Sequence, residues 1–515
     1  MEKKKKDWFK IKRYPHIGLP LNENDRYIWI QKYITNPDKI AKHSFLPFIH
    51  KTSRVKKFRK KYDKKEGKVI ENYIKGKKAF RNSDEKKREL FYASHLDSLV
   101  FSYYSMKLSE KYEQKISENN LNEVVNAYRS VPIDSKKENS SNKCNIDFAN
   151  DVFKFILDYK QNEFTVIAFD ISSFFDNLDH KLLREIWCEI LNTERLSKDN
   201  FNVYKNITRF SHVDIVDVFD EFKTKIYTRK QNKKGENLEI KQKSIDNINY
   251  LRNQNAIAFC TEKEFFKIRS KLLQPSKTRK TKDGDIVYRN YGIPQGSPIS
   301  SVLANIYLFH FDKIINDFME KNNGIYRRYS DDMVVVCPSE IKESISNLVY
   351  EEIKKFKLKI QQTKTQIFQF KRDNDNRLLC GQEFENEINW NKNFIYLGFE
   401  FNGENVFLKS ASLSNYYRKM KRTIRRAKHF SKNLFSKNKN VIFKRRILKK
   451  FSYKGAKRTR KYLWDEKTNK FIKSESYNWG NFLSYAYKAS NIIVKNKIKK
   501  QTKRHWNIIN KHLRN

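Results

Sequence analysis

A chain of 515 residues that is 32% charged and 38% hydrophobic, with 38 Phe, 28 Tyr and 7 Trp, has the apolar volume for a core, which excludes a disordered chain and leaves room for roughly two to four domains. Its 108 Lys and Arg against 59 Asp and Glu give a net charge of +49, a self-repelling excess whose usual partner is nucleic acid. Five cysteines (Cys144, Cys188, Cys260, Cys337 and Cys380), odd in number and without CxxC spacing, speak against a zinc ribbon or disulfide framework and for a reducing, cytoplasmic setting.

The basic start MEKKKKDWFK is followed by no apolar h-region, and no window approaches 18 apolar residues, so neither a secretory leader nor a membrane span is expected. Residues 1–90 are basic and mixed, with aromatic anchors in YIWIQKYI (27–34) and HSFLPFIH (43–50). Leu96, Leu99, Val100, Tyr103 and Tyr104 carry helical spacing and predict a helix over 91–114; the polar run 133–145 interrupts the pattern. The β-branched and aromatic run Phe164–Asp170 predicts a strand, followed by a turn and a helix with Leu183, Ile186, Trp187 and Ile190 on one face. Residues 200–290 are charge-rich, and 229–243 read as a surface excursion. A Gly/Pro-rich loop beginning at 291 then leads into one long amphipathic helix reaching 321, with Leu303, Ile306, Tyr307 and Phe311. GIYRRYSDDMVVVC (324–337) predicts a hairpin with a tight polar turn, followed by a helix near 341–357, a strand ending in TKTQIFQF (363–370) and a short strand pair at 394–403.

From 411 onward the pattern is helical and basic: 32 Lys and Arg face three acids, Asp465, Glu466 and Glu475, which places +29 of the total +49 in a fifth of the chain. Aromatics are interleaved there (Tyr416, Tyr417, Tyr462, Tyr477, Trp479, Tyr485, Tyr487, Trp506), as a surface for phosphates and stacked bases requires, although core packing explains most of them.

Asp331 and Asp332 are adjacent carboxylates at the predicted hairpin tip, and such a pair is unfavourable unless solvated or neutralised. A strand ends in Asp170, and a Gly-rich loop opens a helix at Gln295, Gly296 and Ser297. If strand and hairpin are sheet neighbours, three carboxylates meet, and clustered oxygen ligands bind hard divalent cations. Two such ions can activate a 3′-hydroxyl and stabilise a leaving pyrophosphate. Each motif alone is weak; their order and company give them value.

Those motifs resemble the reverse transcriptases. FDISSFF is similar to their motif A, GIPQGSPIS to motif B, YSDD to motif C, LKIQQTKT (358–365) to motif D and YLGF (396–399) to motif E, while AYRS (127–130) with NKCNIDFA (142–149) resembles the fingers motif that precedes motif A. The resemblance implies a right-hand polymerase of α+β class. It implies Asp170 and Asp331 as metal ligands, with Asp332 and the Ile171 carbonyl beside them, for Mg²⁺ with Mn²⁺ as the alternative. It places Phe175 at the steric gate that rejects a ribose 2′-hydroxyl, hence DNA synthesis from dNTP substrates. Gln295 and Gly296 shape the nucleotide pocket, Arg129 and Lys143 contact the triphosphate, Lys364 protonates pyrophosphate, and Tyr329 and Ser297 lie near primer and template.

No RNase H, protease or HNH segment is recognisable, NAYRS (126–130) is not the retron element, and no VTG follows the hairpin. YPHIGLP, HSFLPFIH, YASHLDSLVFSYYS, FLSYAYKAS and RHWNIINKHLR are similar to stretches of bacterial defence-associated reverse transcriptases. That implies antiphage defence, a structured non-coding RNA partner, a DNA product and homo-oligomerisation. The alternatives are a retron or group II intron-type enzyme, and an RNA-binding scaffold with a vestigial polymerase fold. The expected organisation is an N-terminal extension (1–90), fingers (91–165), a palm (166–407) with an insertion at about 195–290, and a helical thumb with a basic C-terminal region (408–515).

Overall fold

The structure, a computed structural model, describes residues 7–60, 72–74, 77–79, 81–134, 137, 140–231, 237–275, 278–280, 286–384, 387–432, 440–457, 459–465, 470–478 and 480–514. Residues 135, 136, 138 and 139 of the polar run, 232–236 of the charged excursion, Glu466 and Trp479 lie outside the described residues. The chain divides into two compact units: Met1–Asn120 with Ser173–His310 and Lys354–Leu358, and Leu121–Ser172 with Phe311–Ile353 and Lys359–Asn515.

The second unit is built on a six-stranded antiparallel sheet in the order Ile325–Tyr329, Asp332–Pro338, Glu163–Asp170, Gln366–Arg372, Leu378–Phe384, Glu387–Asn389. Its middle strand reads EFTVIAFD, and Phe164, Val166 and Ile167 are fully buried. Burial on both faces explains why the sequence is a continuous apolar run rather than an alternation. Val166, Val334, Val336, Phe368 and Phe370 pack with Ala149, Val152 and Phe153 of the helix Asn145–Asp158, each large apolar side chain contributing roughly 1.5–3 kcal/mol. With both faces apolar, hydrophobic pattern alone would tolerate a slipped register. The turn fixes it instead: Tyr329 pairs with Asp332, leaving only Ser330 and Asp331 between the strands, and Ser330 takes the left-handed φ of 63° that closes so short a loop.

The C-terminal part of this unit carries the helices Ser410–Ser431, Lys444–Phe451, Phe482–Ile492 and His505–Arg514 around a small core of Tyr416, Met420, Ile424, Ile447, Phe451, Leu483 and Ile509. The expectation of an all-helical region from 411 is corrected here. Arg460–Asp465 and Lys470–Tyr477 form an antiparallel hairpin, where Tyr462, Trp464, Phe471 and Ile472 favour an extended chain. Tyr416 is core, and Tyr417 and Tyr487 pack against that core, whereas Tyr462 and Tyr477 are exposed.

In the first unit, His16–Ile17, Ala256–Cys260, Ile226–Gln231 and Asn237–Lys243 form one sheet, and Arg81–Tyr92, Phe48–Lys60 and His212–Asp214 another. The charged excursion at 229–243 is therefore largely a strand pair rather than a loop. Phe91 and Tyr92 end a strand; the helix expected over 91–114 runs His95–Glu118, started by the Ser94 hydroxyl, which accepts from the Asp97 amide. The long helix expected up to 321 is two, Ser300–Tyr307 and Phe309–Lys321, because the backbone leaves the helical region at Leu308. Of the N-terminal aromatic anchors, Tyr27, Ile28 and Trp29 are exposed, while Ile30 and Ile34 are buried.

Candidate active site

Asp170 is the last residue of its strand, and Asp332 is the first of the next. The two are direct cross-strand partners, so their Cβ atoms share one face at a spacing of about 4.5–5.5 Å. Asp331 occupies the adjoining turn, where its carbonyl accepts from the Ile171 amide at 3.2 Å. The segment 359–361 closes the other side: the Gln361 amide donates to the Asp170 carbonyl (2.8 Å), and the Ser172 amide to the Lys359 carbonyl (2.9 Å). Lys364, on the short turn Gln362–Lys364, donates from Nζ to Asp170 Oδ1 at 2.6 Å.

The Asp332 side chain reaches solvent. Even so, the enclosing protein, and then the like charges of Asp331 and Asp170, push its carboxyl up to about 6, against the pull of Lys409 and Lys364. Among the described residues no three His, Cys, Asp or Glu groups close into a ready cation cage; Asp170 and Asp332 face each other across the strands, with Asp331 in the turn beside them. The donor set nevertheless fits Mg²⁺, which takes one or two carboxylates and fills its octahedron with water and substrate phosphate.

Beneath this open edge lies a closed charge pair. Arg328 and Asp312 are both fully buried. Arg328 donates from Nε to Asp312 Oδ1 (2.7 Å) and from Nη2 to Oδ2 (2.5 Å), and the Tyr326 hydroxyl donates to Oδ1 (2.9 Å). Burial raises the Asp312 carboxyl, and the guanidinium opposes it. The same guanidinium donates from Nη1 to the Ser330 carbonyl at 3.3 Å, so the pair grips the turn that carries Asp331. The Arg328 amide donates to the Val124 carbonyl (2.8 Å), and the Asn126 amide to the Arg328 carbonyl (2.9 Å). Tyr128 places its hydroxyl 3.2 Å from that of Ser330.

Sequence reasoning did not single out Arg328, Asp312 or Lys409. The signals were present for the pair. Strand alternation puts Arg328 on the face of buried Tyr326, and helical spacing puts Asp312 on the stripe Ile315, Asn316, Met319. Lys409 had none, since its place beside Asp332 is purely tertiary.

The remaining expected residues are placed as follows. Tyr329 packs against Phe148, with ring centroids 6.2 Å apart. Arg129 Nη1 donates to the Asn122 and Val125 carbonyls, both at 2.8 Å, and Lys143 pairs with Asp151 at 2.8 Å. In the first unit the Phe175 carbonyl accepts from the Ile293 amide (2.8 Å), and the Leu178 carbonyl from the Gly292 amide (2.7 Å), which joins the segment after Asp170 to the Gly-rich loop. The Gln295 carbonyl accepts from Phe91 (2.8 Å). Gly296 has φ +123°, and a Cβ there would lie 2.5 Å from the Phe91 carbonyl, so only glycine fits. The Ser297 hydroxyl is buried without a hydrogen-bond partner among the described residues.

Residues 204–401 match the sequence model of the family described as reverse transcriptase (RNA-dependent DNA polymerase). Over that stretch the chain is similar to the reverse transcriptases. The match spans Gln295–Ser297, Asp331, Asp332 and Lys364 and begins downstream of Asp170. The α+β right-hand polymerase fold expected from the motifs accords with it. Solved structures with distant likeness include telomerase from Candida albicans with a TWJ fragment of telomeric RNA (13% identity, 77% of this chain and 54% of that one, TM-score 0.31). They also include apo telomerase from Candida tropicalis truncated from its C-terminal domain (10% identity, 64% and 52%, TM-score 0.31). The chain spans about half the length of these telomerases. Among the described residues no helix is long and apolar enough to cross a membrane.

Proposed function

We propose that this chain is an RNA-directed DNA polymerase that extends a 3′-hydroxyl with deoxynucleotides. What carries the proposal is the cross-strand pairing of Asp332 with Asp170 beside the Asp331 turn, in a chain with a reverse transcriptase match. Asp170 and Asp331 would hold divalent cations, Mg²⁺ or Mn²⁺, with Asp332 and the Ile171 carbonyl alongside. Bound there, such ions supply Lewis acidity toward the attacking hydroxyl and the leaving pyrophosphate. Lys364, already placed on Asp170, holds a proton within reach of that leaving group. Phe175, fixed through its carbonyl to the Gly-rich loop, excludes the ribose 2′-hydroxyl, while Gln295, Gly296 and Ser297 present backbone to the nascent base pair. Tyr329 supports the primer end. Arg129 and Lys143 act on the triphosphate only after leaving Asn122, Val125 and Asp151.

The finer proposal is an antiphage enzyme of the bacterial cytoplasm with a structured non-coding RNA partner, acting as a homo-oligomer. Five free thiols fit that compartment, and the basic residues of 411–515 fit an RNA backbone. N-terminal extension, fingers, palm and thumb divide at about 90, 165 and 407. The decisive assay is labelled dNTP incorporation on a primed RNA, with and without EDTA, beside phage challenge of expressing cells. Wild type should incorporate and protect only with metal and with Asp331 intact. Tight RNA binding without metal-dependent synthesis would favour the scaffold alternative, and Phe175→Ala should admit ribonucleotides.

A further inference from the structure

In the first unit, Phe175 sits on a segment too short to hold a side chain by itself. Phe174–Asp176 make a single 3-10 turn, entered at Ser173 with a left-handed φ of 44°. From within, only backbone bonds close it, from the Asp176 amide to the Ser173 carbonyl (3.0 Å) and from the Asn177 amide to the Phe174 carbonyl (3.2 Å). Such a turn has poor hydrogen-bond geometry, so its placement depends on what it is tied to. It is tied to residues 289–293. The Ile293 amide donates to the Phe175 carbonyl (2.8 Å), the Gly292 amide to the Leu178 carbonyl (2.7 Å) and the His180 amide to the Asn290 carbonyl (2.9 Å). The buried His180 ring adds a bond from Nε2 to the Gly292 carbonyl (2.8 Å).

One side chain reaches from 289–293 to the turn itself. Arg289 donates from Nη2 to the Asp176 carbonyl at 2.7 Å, one residue after Phe175. Its guanidinium lies over the Tyr291 ring, 4.9 Å from the centroid. Its Nε is buried without a hydrogen-bond partner among the described residues, a cost that a charge-assisted bond at Nη2 offsets. Gly292 makes room for this approach. It has φ +85°, and a Cβ there would overlap Arg289 Nη2 and lie 2.6 Å from the Asp176 carbonyl oxygen. Rigidity matters at Phe175 because a yielding apolar surface discriminates poorly against one added hydroxyl. How firmly the ring is held therefore sets how well it can refuse a ribose.

We propose, on the reading of Phe175 as the residue that excludes the ribose 2′-hydroxyl, that Arg289 is a specificity-determining positioning residue. Its bond to the Asp176 carbonyl fixes the turn that carries Phe175, and so sets how strongly ribonucleotides are refused. Arg289 lies outside the stretches that resemble the polymerase motifs, and it acts through Phe175 rather than on the nucleotide.

The test measures kcat and KM for single-nucleotide addition by the full chain on a primed RNA, for one dNTP and the matching rNTP. Arg289→Met should lower the dNTP-over-rNTP ratio of kcat/KM by about fivefold, a modest part of what a 1 Å misplacement can cost. The change should come from better use of the rNTP, with dNTP kcat/KM held within about twofold of wild type. Arg289→Lys, which can still donate to the carbonyl, should keep most of the ratio. In a Phe175→Ala background Arg289→Met should change the ratio no further, because the two residues act as one unit. Tyr291→Leu, which removes only the ring beneath the guanidinium, should lower the ratio about twofold and serves if Arg289→Met melts early. A Phe175→Ala chain with unaltered discrimination would remove the reading of Phe175 and this proposal with it. Ribonucleotide entry in Phe175→Ala but not in Arg289→Met or Tyr291→Leu would overturn the role of Arg289 alone. So would an equal rise in KM for both substrates in Arg289→Met, which would place the guanidinium on the nucleotide itself.

Discussion

Two groups of ionised side chains meet at one hairpin and are handled in opposite ways. Arg328 and Asp312 sit at zero exposure in a two-toothed ion pair with Tyr326 on the same oxygen. At the adjoining edge stand Asp170, Asp331 and Asp332, with Lys364 in direct contact with Asp170 and Lys409 nearby. The interior pair is matched because desolvating an unmatched charge costs several kcal/mol. The edge is left anionic, and burial and then the like charges of Asp331 and Asp170 raise the proton affinity of Asp332, an arrangement that suits cations arriving from outside. One set of charges shapes the turn, and the other is what the turn presents.

Neutralising the edge should give the largest effect, and on activity only. Asp331→Asn is expected to lower dNTP incorporation by about three orders of magnitude or more, the several kcal/mol that a metal ligand controls. Thermal stability should hold or rise, because a like charge is gone; a large drop in melting temperature would erase the contrast between the two groups. Unmatching the interior should do the reverse. Arg328→Met should destabilise by about 3–5 kcal/mol in urea unfolding, whereas Arg328→Met with Asp312→Leu should recover most of that loss. Equal stabilities of the single and double variants would mean the pair is not what holds the turn.

A third way of hiding ionisable groups sharpens the contrast. Burial holds His16 neutral, pulling it down to about 3, and does the same to His95, down to about 4. In the unfolded chain both protonate below about 6.5. The unfolded state therefore binds more protons between roughly pH 6.5 and 4, so stability is full above that window and falls as pH drops through it. Between pH 7 and 5 the His95→Phe variant should lose about 1–2 kcal/mol less than wild type in urea titrations; parallel losses would contradict it. The smallest expected effect is at Lys364. Its bond to Asp170 is half-exposed, so Lys364→Met should change stability by under about 1 kcal/mol while slowing single-turnover incorporation, measured by rapid quench.

Much of the acidic edge was legible in the sequence. Phe164–Asp170 declares a strand by its β-branched and aromatic run, and YSDD between Arg328 and Met333 declares a tight polar turn, so the residues of the edge could be named before their pairing was known. Helix ends and breaks were less legible. Phe91 and Tyr92 fit a helical stripe yet end a strand, because cross-strand pairing with Ile49 and His50 outweighs local spacing. Tyr27, Ile28 and Trp29 looked like anchors, but composition does not say which face of a helix meets a core.

The sequence by itself determined the chemistry available: which residues are carboxylates, the order in which they occur, a strong basic excess, and a glycine at 296. Tertiary structure decided what those residues face. The register that sets Asp332 opposite Asp170 and the contact that brings Arg289 onto the Asp176 carbonyl both join residues far apart in the chain. Local propensity carries no information about such partners, because their energies arise only when burial strips away water and leaves each charge to find its match.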